Sequence, residues 1–351
     1  MIDPEPEKPR RRPRYCGKNP RQFHEKYKEH QPGRYPDEAA KVLARGRTPA
    51  GTHRPIMMRE ILDVLSPRPG AVAVDCTLGY GGHARELLAA VQPGGRLLGV
   101  DADPIELART EARLRTLGFP PGAVIVRRMN FAGVARFLAD VAPDGADVLL
   151  ADLGLSSMQI DDPSRGFTFK VDGPLDMRMD PSRGRTASDL LSTLDEARLA
   201  QLLAENSDEP HASELAGAIL LAHARGPITS TRSLAMVVQE SVARHSPSSV
   251  SSGDDAVRRV FQALRIAVND ELGSLTVLLR SLPSCLKPGG RAAMLSFHSG
   301  EDRRVKSAFK DGLQDGTYTS IATEVIRATA EERRDNPRSR AAKLRYAVRR
   351  S

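Results

Sequence analysis

The stretch Val74–Ala84, VDCTLGYGGHA, constrains the fold more than any other: an apolar run ends in an acid and then meets three glycines within four positions. Glycines allow backbone conformations and close approaches that other residues do not. The AVAV before them reads as a buried strand and the HARELLAAV after them as a helix. A strand that turns through glycines into a helix is the opening unit of a parallel, doubly wound sheet.

The rest of the chain repeats that unit. RLLGVDAD is a second strand, PIELARTEARLRTL a helix with Pro in its first turn, and AVIVRRMN and ADVLLADLG are further strands. After Ile160 the pattern changes to an irregular loop, DDPSRGFTFKVDGPLDMRMDPSRGR, of the kind that usually carries function. Helical stretches are expected over 188–205, 211–225 and 231–245, then a flexible SPSSVSSGDD. From Arg258 one long helix is expected, with Phe261, Leu264, Val268, Leu272, Leu275 and Leu279 at three- and four-residue steps. KPGGRAAMLSF then restates the turn-and-strand form of QPGGRLLGV, so an all-helical insertion interrupts one α/β sheet domain. The expected division is a basic arm over 1–50 with a short helix near Glu38–Leu43, a first sheet part over 51–161, the loop and insertion over 162–257, and a second sheet part over 258–351.

The absence of Trp and of many aromatic rings argues against a stacking platform for bases. No apolar run is long enough to span a bilayer, and the Arg-rich opening is interleaved with acids, unlike a transit peptide. Cys16, Cys76 and Cys285 lack any paired spacing. A cytoplasmic protein without disulfides or a cysteine metal site is expected. The net charge of +8 is uneven: residues 1–50 hold 13 Lys and Arg against 7 acids, and residues 320–351 hold 9 against 4. Basic ends around a slightly acidic body fit a polyanionic partner touched by both termini.

Gly79, Gly81 and Ala84 satisfy the G-x-G-x-x-G/A nucleotide fingerprint, and Asp101 follows at the end of the next strand, where an acid can bind ribose hydroxyls. The ligand is chosen by charge. NAD brings a diphosphate, which Asp75 would repel, whereas S-adenosylmethionine (SAM) brings a sulfonium and an ammonium that Asp75 would attract. The glycine loop and helix N-terminus would then meet the cofactor's carboxylate. Asp152, ending the fourth strand at the topological switch, can accept a hydrogen bond from an exocyclic amine and aim its lone pair at a methyl group.

With these residues in view, the chain resembles the 16S rRNA cytosine-N4 methyltransferases of the RsmH (MraW) type. The resemblance runs through HRPIMMREIL, DCTLGYGGH, GVDADP, DLGLSSMQID, RGFTFKVDGPLDMRMD, RVFQALRIAVNDEL, FHSGEDRRVK and NPRSRAAKLR, about residues 53–350. It implies a class I, Rossmann-like SAM-dependent methyltransferase domain with an inserted helical domain, acting on N4 of a cytidine in the decoding centre of the small ribosomal subunit. By that resemblance, SAM is bound by Gly81, Gly82 and His83, by Asp101 at the ribose, by Phe131 beside the adenine, and by Asp152 and Gln159, with Asp75 and Gly79 in support. The chain departs from the family pattern at Ser207-Asp208-Glu209-Pro210, at Ala256-Val257-Arg258 and at Gly300. The basic arm is additional to the usual family length.

Arg165, Asp176 and Arg178 in the irregular loop are expected to position an unstacked cytidine and its phosphates. Arg265 and Asn269 line the polar face of the long helix on the same side. His298 and Glu301-Asp302-Arg303, after the last parallel strand, are expected to frame the base pocket, and Arg340 in NPRSRAAKLR to contact phosphate. The competing reading is salt-bridged loop packing for Arg165, Asp176 and Arg178, and a hydrogen-bonded turn that only shapes the site for His298 and Glu301-Asp302-Arg303. Cys76 is set aside as a nucleophile because it lies at a buried strand end. His53, His83 and His298 lack ligand spacing, so no metal is expected. A homodimer is left open, as are a methyltransferase with another RNA target, an assembly factor that binds SAM without catalysis, and an NAD-dependent oxidoreductase.

Overall fold

The structure, a computed structural model, describes residues 55–245 and 250–351, within the unit Arg54–Ser351. The basic arm and its expected helix lie outside the described residues. Seven strands form one sheet: β1 (Val72–Asp75), β2 (Arg96–Asp101), β3 (Val124–Arg128), β4 (Ala146–Asp152), β5 (Leu286–Ser296), β6 (Tyr318–Ile321) and β7 (Lys343–Arg349). Their order is β3-β2-β1-β4-β5-β7-β6. The first five in that order run parallel, and β7 is antiparallel to both its neighbours. The chain steps outward from β1 to β3 and returns to β4, so the carboxyl ends of β1 and β4 flank the switch point where ligands of open sheets sit.

Helices cover both faces, which is why the parallel strands read as continuous apolar runs. Side chains alternate across the sheet. Val72, Val74, Leu149 and Ala151 pack with Phe137 of α4 (Val134–Val141), Leu275 and Leu278 of α11 (Glu271–Cys285) and Phe309 of α12 (Ser299–Gln314). Ala73, Val148 and Leu150 pack on the other side with Ile61 and Leu65 of α1 (Met58–Leu65), Leu87 and Leu88 of α2 (Gly82–Val91) and Leu107 of α3 (Pro104–Arg115).

Between β4 and β5 come α5 (Ser157–Asp161), α6 (Ala187–Leu191), α7 (Glu196–Ser207), α8 (Ala212–Arg225), α9 (Thr231–His245) and α10 (Val250–Asn269). Leu199, Leu203, Leu215, Ile219, Leu234, Val260 and Leu264 give these helices a core of their own. Three expectations change. The stretch 188–205 is two helices, because Thr186 caps one start and Asp195, accepting the Arg198 N–H, caps another. Of the segment expected to be flexible, residues from Val250 onward are the first turns of α10. The long helix from Arg258 is broken at Asp270, whose φ of 47° cannot continue a right-handed helix. Phe261 and Leu264 therefore join the helical core while Leu275 and Leu279 join the sheet core, so the packing divides at Asp270 rather than at 257/258.

Candidate active site

Asp75 ends β1 and is 1% exposed. Its Oδ1 accepts the Thr77 N–H at 3.0 Å, and its Oδ2 is buried with no partner. Burial pushes the carboxyl up to about 6, although His83 and the Thr77 N–H pull the other way. The Thr77 hydroxyl accepts the Asp152 N–H at 2.7 Å. One residue thus ties the end of β1 to the end of β4.

The glycine loop follows. Gly79 has φ 46° and Gly81, the N-cap residue just before α2, has φ 82°, a region that glycine occupies without strain. A Cβ at Gly81 would also lie 2.6 Å from Thr110 Cγ2. Thr110, on α3, donates its hydroxyl to the Gly79 carbonyl at 2.5 Å and accepts Arg113 at 2.6 Å. Arg113 also donates to the Tyr80 carbonyl at 3.1 Å and lies 3.7 Å over the Tyr80 ring. This buttress escaped the sequence reading, since a threonine in an amphipathic helix carries no sign of what it touches. Asp101 accepts the Gly79 N–H at 2.6 Å on one oxygen and the Asp103 N–H at 2.8 Å on the other. Burial pushes it up to about 6. Each oxygen keeps a second lone pair for a ligand hydroxyl.

At the end of β4 the Asp152 side chain is 27% exposed, with Oδ2 3.5 Å from His83 Nδ1 and Oδ1 buried without a partner. Burial, and then the charge of Glu301, push it up to about 7. His83 is held by the Ile56 carbonyl at 2.9 Å on Nε2, and burial lowers its pKa. A neutral ring donating from Nε2 turns its Nδ1 lone pair to Asp152, which favours the protonated acid. Gln159, in the first turn of α5, accepts the Ser156 N–H at 2.9 Å and donates to Asp103 Oδ2 at 2.9 Å. Phe131 opens a short 3-10 turn just past the carboxyl end of β3 and packs partly buried against the sheet core.

The irregular loop is held from beneath. Arg165, 9% exposed, donates to Asp103 Oδ2 at 2.7 Å and to the carbonyls of Arg178 and Met179 at 3.1 and 2.8 Å. Asn269 of α10 donates to the Met177 carbonyl at 2.8 Å and accepts the Met179 N–H at 2.7 Å. Arg178 pairs with both oxygens of Asp176 at 2.8 and 2.7 Å. Burial would raise the Asp176 carboxyl, but the hydrogen bonds and charge of Arg178 hold it below its ordinary value. Arg265 makes a two-pronged pair with Glu271 at 2.8 Å each. Arg165 and Asn269 thus shape the loop, and Arg178 is the loop arginine nearer solvent. Arg303 pairs with Asp208 at 3.1 Å on the surface, and Arg340 donates to the Arg333 carbonyl at 3.2 Å. His298 caps α12, two residues past β5.

Asp75 Oδ2, Asp152 Oδ1 and Nδ1 of His298 are buried polar atoms without hydrogen-bond partners. They lie at the carboxyl ends of β1, β4 and β5. Buried polar atoms are nearly always satisfied, so this edge is built for a polar ligand. Two such carboxylates suit a cationic one.

A family model described as the MraW methylase family matches residues 50–350. The chain belongs to the MraW methylase family. "Ribosomal RNA small subunit methyltransferase H 1" of Lachnoclostridium phytofermentans is 44% identical over 97% of this chain and 93% of its own length. "Ribosomal RNA small subunit methyltransferase H 2" of Alkaliphilus metalliredigens is 44% identical over 99% of both. The basic arm precedes the residues matched by the family model and is additional to the Geobacter sulfurreducens relative, which is matched over 98% of its own length and 84% of this chain, while the two longer relatives align over nearly the whole chain. Among solved structures, a SAM-dependent O-methyltransferase of Thermotoga maritima is 9% identical with a TM-score of 0.37, covering 84% of this chain and 64% of that one. As an MraW methylase the protein is a SAM-dependent methyltransferase, and the partnerless oxygens of Asp75 and Asp152 fit the cationic methionine end of that cofactor.

Proposed function

We propose that the protein methylates the exocyclic N4 of a cytidine in the decoding centre of small-subunit (16S) rRNA. The reading is carried by the two unsatisfied acids at the β1/β4 switch, together with the family motifs of the irregular loop and α10. The names of its relatives, small-subunit rRNA methyltransferases, support it. Bound SAM supplies an electrophilic methyl group. Asp75 and Asp152 would neutralise its charge, Gly79, Gly81, Gly82 and His83 would receive its methionine end, Asp101 its ribose, and Phe131 and Gln159 its adenine side. Asp152 would also accept a hydrogen bond from the N4 amine and hold the lone pair in line, a positioning effect worth several kcal/mol on general grounds, about 7 or more at its best. Arg178, Arg303 and Arg340 would contact phosphates.

The test is to incubate the protein with methyl-labelled SAM and small subunits lacking decoding-centre N4 methylation, then digest the rRNA and identify the labelled nucleoside by mass spectrometry. N4-methylcytidine at the decoding centre is expected. Label in another nucleoside would refute the proposed target while keeping the chemistry, and no label despite SAM binding would refute the proposed reaction.

A further inference from the structure

β5 lies beside β4 with Leu295 opposite Asp152, so the turn after β5 borders the same cleft edge. His298 stands in that turn as the cap of α12. Its side chain is 10% exposed; Nε2 faces Glu301 Oε1 at 3.2 Å, and Nδ1 is buried without a hydrogen-bond partner. Leaving Nδ1 buried and unpaired costs about 1–3 kcal/mol, which a histidine with only a packing role would avoid.

The carboxylate beside it is fixed. Glu301, 3% exposed, accepts the N–H groups of Phe297 at 2.9 Å and His298 at 3.4 Å on Oε2, while Oε1 lies 3.2 Å from His298 Nε2. Burial would raise this acid, but the His298 ring, the Phe297 N–H and Arg265 hold it low, so it stays ionised. An anion facing Nε2 favours the Nε2–H tautomer and leaves Nδ1 with the lone pair. Gly300 supplies room: a Cβ there would come within 3.2 Å of Nδ1 and 3.3 Å of Cε1. The turn itself is gripped from the helical insertion, where Asp208 accepts the Ser299 hydroxyl at 2.6 Å and Arg303 at 3.1 and 3.3 Å.

We infer that His298 is the base that takes the proton released by the methylated amine, and that Glu301 is its positioning partner. This rests on the N4-methylation reading above. The amine lone pair forms the new bond to the methyl carbon as the carbon–sulfur bond breaks, its electron pair staying on sulfur. The nitrogen, then cationic, passes one proton to His298 Nδ1. The Glu301 carboxylate compensates the imidazolium. The charged groups that bear on this ring are Glu301 on its own helix, Asp208 at the end of α7, and, through Glu301, Asp152 of β4 and Arg265 of α10. Asp152, whose Oδ2 faces His83 Nδ1 at 3.5 Å, is kept as the group that orients the amine.

The first measurement needs no turnover: the 15N spectrum of His298 in the free protein at mildly alkaline pH should show Nε2 protonated and Nδ1 bare. His298→Ala should then lower single-turnover methylation by about 100-fold or more, with SAM affinity and thermal melting unchanged. Added imidazoles should rescue it, the rate rising with their basicity, a dependence that a cavity-filling effect would not produce. If the alanine variant does not fold, Glu301→Gln serves, with a loss of roughly tenfold expected in methylation and none in SAM affinity. A fully active variant, an Nδ1–H tautomer, or rescue independent of basicity would overturn the assignment of His298. A wild-type protein that labels another nucleoside would overturn the functional reading instead.

Discussion

Asp75, Asp101 and Asp152 are all held above the ordinary carboxylate range by burial, at about 6, 6 and 7. A raised acid favours the fold below its unfolded pKa and loses that contribution as pH rises through the folded one. The ligand-free protein should therefore melt lower at about pH 8 than at about pH 5 as far as these groups decide it, and Asp75→Asn should flatten the slope. Cationic SAM prefers the ionised acids, so its affinity should rise over the same interval, read by calorimetry; a pH-independent affinity would remove these acids from the site. At Gly81 the argument is steric. Gly81→Ala places a methyl group 2.6 Å from Thr110 Cγ2 on a backbone with φ 82°. SAM affinity should fall by about tenfold or more, since the left-handed conformation alone costs a non-glycine residue about 1–2 kcal/mol.

Among elements, the irregular loop shows both the reach and the limit of the sequence. Its Gly, Pro and charge density marked it as functional, and strand ends such as Asp75, Asp101 and Asp152 were legible because alternation and glycine punctuation are local signals. The direction of Arg165 was not. An arginine in a polar loop has the same local pattern whether it faces RNA or turns inward, and here it turns inward because Asp103, 62 residues earlier, waits for it. Thr110 and the break at Asp270 were hidden for the same reason: each depends on what the helix meets, not on its own periodicity. Arg165→Met should leave Asp103 buried with a lost charge partner and free two loop carbonyls, destabilising the protein by about 3–5 kcal/mol. Thermal melting checks this; a change within error would show that the loop is anchored elsewhere.

For the whole molecule, positive charge is concentrated at the two ends of the chain, with the C-terminal share carried by the Pro337–Arg340 turn and β7. Phosphate contacts add affinity without sequence information, and each contact steepens the fall of binding with salt. Deleting residues 1–50 should thus flatten the salt dependence of rRNA binding while leaving SAM affinity intact, as filter binding over a salt series would show. An unchanged slope would assign the arm another task.

The two partnerless carboxylate oxygens at the β1/β4 edge also bear on how the enzyme lets go. Methyl transfer removes the positive charge from sulfur, so the spent cofactor arrives at the same acids with less to offer them. On the placement of the cofactor proposed above, a cleft that holds it by charge at this end should bind the product less tightly than SAM, a difference that calorimetry with the two ligands reads directly.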